Sequence, residues 1–67
     1  MRQQIIETLK QHAKDNSQLH CINIEVYLKN PAGIGEHSDI MEAIQAELDK
    51  MAMHEDRLDI LDNYFSE

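Results

Sequence analysis

Four histidines, one cysteine and thirteen carboxylates are the side chains in this 67-residue chain that could do chemistry. His12 and His20 lie eight residues apart, about 12 Å along a helix, too far to share one metal ion. If the chain folds back near residues 33–34, His54 and Glu55 come opposite His12 and Asn16, with His20 and Asn23 farther along. Such a cluster supports three roles. It can be a transition-metal site, a pH-responsive interface, or a hydrogen-bonded polar layer that fixes register, as a buried Asn does in coiled coils. No His-x-x-x-His or Glu-x-x-His pair stands at ligand spacing, so no metal or other cofactor is expected and the structural role is favoured. Cys21 sits in an apolar stretch without an activating neighbour and reads as a small apolar side chain, not a nucleophile. A lone cysteine also excludes an intrachain disulfide. The carboxylates form no evident pocket, so an enzyme is not expected.

The elements that position these residues are two segments of nearly equal length, separated by Asn30–Ile40, NPAGIGEHSDI. That stretch holds the only proline and both glycines. Asn30 precedes Pro31 and is pushed out of the α region, which ends the first helix. Gly33 and Gly35 suit a turn, with Ile34 folding back as a plug. The GIGEHS run lacks the third glycine, the preceding strand and the lysine of a phosphate loop, and the acidic charges that follow would repel phosphate.

The first segment, about residues 2–29, carries Ile5, Ile6, Leu9 and Ala13 at helical spacing. Propensity weakens around Asp15, Asn16 and Ser17, where a break is possible. Residues 21–28 alternate in a strand-like way through Ile22, Ile24, Val26 and Leu28. No second strand candidate exists to pair with them, so helix is preferred and the alternative is an intermolecular strand. The second segment, about 38–65, opens with Ser38 as an N-cap and Asp39 and Glu42 in the first turn, where the helix dipole favours them. Ile40, Ile44, Leu48, Met51, Leu58, Leu61 and Phe65 form its main stripe. The expected fold is all-α: one domain over 1–67, an antiparallel two-helix hairpin with its turn at 30–37.

A single hairpin leaves apolar residues unused. Ala46, Met53 and Ile60 recur every seven residues and Tyr64 extends the line, while Ile24 and Leu28 flank the first helix. These six residues are the expected self-association or partner interface, most simply in a two-fold dimer forming a four-helix bundle. The charge is also uneven. Residues 1–30 hold four basic and three acidic side chains, and residues 31–67 hold two basic and ten acidic, for a net −7 overall. The acidic half disfavours direct nucleic-acid binding. No apolar run approaches the roughly 18 residues of a membrane span, and no leader is evident, so a cytoplasmic protein is expected.

Asn30, Pro31, Gly33, Ile34, Gly35, Glu36, His37 and Asp39 form a distinctive turn motif. In its setting from Glu25 to Ala52 it resembles a pattern in small uncharacterised proteins of tailed bacteriophages, marine myovirus-like ones especially. There a helix ending in Asn-Pro leads through a Gly-Ile/Val-Gly-Glu-His turn into an acidic helix. The resemblance covers about two-fifths of the chain and implies a phage-encoded protein working in a bacterial host, without implying any catalytic residue. So specified a turn makes Glu36, His37 and Asp39 a candidate contact site. The functional expectation is a non-enzymatic, self-associating accessory factor that binds another protein. Alternatives are an acidic DNA mimic that occupies a nucleic-acid-binding protein, and a small virion or assembly component.

Overall fold

The structure, a computed structural model, describes residues 1–30 and 37–66. It consists of two helices, α1 (Arg2–Lys29) and α2 (His37–Tyr64), each of 28 residues. They run side by side as an antiparallel hairpin 48 Å long and 15 by 12 Å across. No strand occurs among the described residues. The weak stretch at Asp15–Ser17 and the alternating stretch at 21–28 both continue α1 without a break. Without a second strand, only a helix lets the 21–28 backbone satisfy its own hydrogen bonds.

Asn30 lies outside the α region, at φ −138° and ψ 60°, and its N–H donates to the Val26 carbonyl at 3.1 Å. This is the restriction that a following proline imposes. The second helix begins at His37, one residue before Ser38, and Asp39 supplies the acidic first-turn side chain. The plug expected of Ile34, the turn glycines and Glu36 lie outside the described residues, as do the side chains of His37 and Ser38.

The helices meet along a seam with alternating steps of four and three. On α1 its positions are Ile6, Lys10, Ala13, Ser17, His20, Ile24 and Tyr27. On α2 they are Ile40, Ile44, Glu47, Met51, His54, Leu58 and Leu61. Each of these residues is buried or half-buried. The 3.5-residue period is that of a coiled-coil interface, which keeps one stripe facing its partner along the whole length. Facing residues sum to about 67: Arg2 Nη2 donates to the Phe65 carbonyl at 3.3 Å, and His20 meets Glu47. This is the register at which His54 comes opposite His12.

The seam differs from the stripes expected from hydropathy. On α1, Ile6 and Ala13 enter it, while Ile5 and Leu9 stand half-exposed on one flank. On α2, Glu47 and His54 take positions that the apolar pattern assigned past them, and Leu48 and Phe65 stay about half-exposed. The period of 3.5 decides this, because Leu48 lies one residue off the 40-44-47-51 line. At the open end, Lys10 pairs with Asp62 at 2.9 Å and also donates to the Ser66 hydroxyl, tying α1 to the last turn of α2.

Candidate functional site

The middle of the seam is polar, and small residues make room for it. Ala13 and Ser17 are both buried on α1, and their short side chains leave space for larger groups from α2. His54 fills that space. Its ring stacks on His20 at a centroid distance of 5.7 Å and an interplanar angle of 11°, and meets His12 edge-on at 6.3 Å. The imidazoles expected to lie too far apart along α1 are therefore bridged by a third from the facing helix.

One end of the cluster is satisfied and the other is not. His20 Nδ1 lies 2.5 Å from Glu47 Oε2, and the Asn23 amide donates to the same oxygen at 3.3 Å. Those hydrogen bonds, the one to His20 foremost, hold the Glu47 carboxyl below its ordinary pKa of 4.5. His54 is 7% exposed, and its buried Nδ1 has no hydrogen-bond partner. Burial disfavours its charged form, and Arg57, His20 and His12 add to this, so its pKa falls below 6.5. Among the described residues no group of three or more His, Cys, Asp or Glu side chains is arranged to hold a metal ion.

Beside this cluster a shallow, almost wholly apolar cleft opens to solvent. Leu9, His12 and Ala13 line it from α1, and His54, Arg57, Ile60 and Leu61 from α2. The cleft belongs to a longer apolar flank. Ile5, Leu9, Leu19 and Val26 stand on that side of α1, and Ala46, Met53, Ile60 and Tyr64 on the same side of α2, all exposed.

Of the six interface residues expected from sequence, Ala46, Met53, Ile60 and Tyr64 share this flank. Leu28 is exposed near the end of α1, and Ile24 lies half-buried in the intramolecular seam. Of the expected turn contacts, Asp39 is exposed in the first turn of α2, while Glu36 and the His37 side chain lie outside the described residues. Sequence reasoning brought His54 toward His12 but missed Glu47, whose signal was its place three residues after Ile44 and four before Met51. Cys21 is half-buried. No described helix is long and apolar enough to cross a membrane. Comparison with protein-family models, curated proteins and solved structures finds no match for the chain.

Proposed function

We propose that the protein is a non-enzymatic helical hairpin that self-associates and acts by binding another protein, as a phage-encoded accessory factor in the host cytoplasm. One observation carries this reading: an exposed apolar flank runs along both helices of a hairpin whose own seam is short of apolar groups. Among the described residues only Ile6 and Ala13 are buried apolar side chains. Contiguous exposed apolar surface of this kind marks interaction sites in soluble proteins. The polar groups of the seam serve one another, His20 and Asn23 both meeting Glu47, which suits a register-fixing layer better than a catalytic centre. The phage setting rests on the turn motif alone.

Light scattering at micromolar concentration should give a mass above 7.8 kDa, the mass of one chain. Affinity capture from host lysate should retain a defined protein besides the chain itself. A folded monomer, or capture of the chain by itself alone, would count against the proposal. Retention of a nucleic-acid-binding protein that low salt strengthens and high salt abolishes would instead favour the acidic DNA mimic.

A further inference from the structure

The self-association proposed above leaves open which surface is used and how the copies are arranged, and the structure carries both. We infer that a second copy of this chain covers the flank built on Leu9, Leu19, Ala46, Met53 and Ile60, with α1 of each copy lying on α2 of the other.

Area supports a second copy as the occupant. The chain exposes 5128 Å², whereas a compact folded monomer of its mass exposes about 4,400 Å². The excess of about 700 Å² is close to the roughly 800 Å² that each partner buries in a standard interface. A flat hairpin is half of a four-helix bundle, and stacking two of them buries the missing layer.

Charge selects the flank. At 100° per residue, the line of Ala46, Met53, Ile60 and Tyr64 on α2 carries Lys50 and Arg57 on the edge toward α1 and Asp49 and Asp56 on the edge away from it, with no carboxylate on the line itself. On the opposite side Leu48 is flanked by Glu55, Asp59 and Asp62, all exposed. Covering the first side leaves its carboxylates at the outer rim, whereas covering the second desolvates Glu55 and Asp62, which stand in line with Leu48. Covering it also closes the open cleft over the buried His54, which is incomplete in one chain.

Charge also sets the arrangement. Two-fold symmetry with these flanks face to face allows like helices to stack, or α1 to lie on α2. The described α1 carries four basic and three acidic side chains, a net +1, and α2 carries two basic and eight acidic, a net −6. Stacking like helices sets −6 against −6. Both arrangements make neighbouring helices antiparallel, so the helix dipoles do not separate them, and only the crossed one sets +1 against −6.

Sedimentation equilibrium of the wild type, Ile60→Glu and Leu48→Glu, with helicity followed by circular dichroism, tests the flank. The wild type and Leu48→Glu should be dimers, and Ile60→Glu should dissociate with a Kd raised more than about tenfold. Disulfide capture in a Cys21→Ser background tests the arrangement and does not depend on a charged variant folding. Leu19→Cys chains mixed with Ala46→Cys chains should cross-link to each other, and Ala46→Cys alone should not. A folded wild-type monomer sinks the self-association itself. A dimer broken by Leu48→Glu and not by Ile60→Glu overturns the flank alone. A dimer that gives no mixed product overturns the crossed arrangement alone, and a trimer or larger species overturns the two-fold bundle.

Discussion

His54 occupies a seam position that an apolar residue would fill more favourably, and its Nδ1 is buried without a partner. A buried polar atom of this kind is destabilising, and an apolar side chain of similar size removes the penalty. His54→Leu should therefore raise the melting temperature at pH 7; a lower one would mean that stacking on His20 outweighs the unmet hydrogen bond. The same residue fixes a pH dependence through its surroundings, with His12, His20 and Arg57 facing it. Its folded-state pKa lies below 6.5, so on acidification the unfolded chain takes up the proton first. Stability is then lost progressively as pH falls below about 6.5, and His54→Leu should abolish that part of the loss. Glu47 acts in the same direction at lower pH. Its folded pKa lies below 4.5, so its contribution is full above that value and disappears as pH falls through the folded pKa. Glu47→Gln keeps side-chain oxygen and nitrogen near His20 and Asn23 but cannot titrate, so thermal melts from pH 5 to 3 should lose this second decline while the first remains.

The hairpin is legible in the sequence because its punctuation is local. Asn30 before Pro31 ends α1 where the dihedral rule places it, and the pairing of the two helices follows from segments of equal length. The seam is less legible because hydropathy and periodicity disagree within it. Lys10, Ser17, His20, Glu47 and His54 occupy core-facing positions, so a search for apolar residues drifts to Leu9 or Leu48 on the next line around the helix. The same displaced residues build the outer flank, which is why Ala46, Met53, Ile60 and Tyr64 could be read as a second stripe while Ile24 could not be told apart from it. Small seam residues have a purpose that hydropathy scales miss. Ala13 is 2% exposed and faces the level of His54, so Ala13→Leu should overpack the seam and cost about 1–3 kcal/mol. Chemical denaturation would show it as a lower midpoint, and an unchanged midpoint would mean that the helices separate there without strain.

At the scale of the whole molecule the two-helix layer and the assembly are one stability problem. One hairpin buries little apolar surface, and chains of this size commonly fold only with a staple or a partner. If the second copy supplies that partner, folding and dimerisation are coupled and the apparent stability must depend on concentration. A tenfold increase in protein contributes about 1.4 kcal/mol per dimer. Two chains of 67 residues have an unfolding entropy of about 0.28 kcal/mol per kelvin near 60 °C. The melting temperature should therefore rise by about 5 °C for each tenfold rise in concentration. Circular-dichroism melts at 5, 50 and 500 µM (roughly two decades, a convenient span) would show the trend as a shift of about 10 °C. A melting temperature independent of concentration, with helicity unchanged, would mean that the isolated hairpin holds itself together and that its apolar flank is reserved for a different protein.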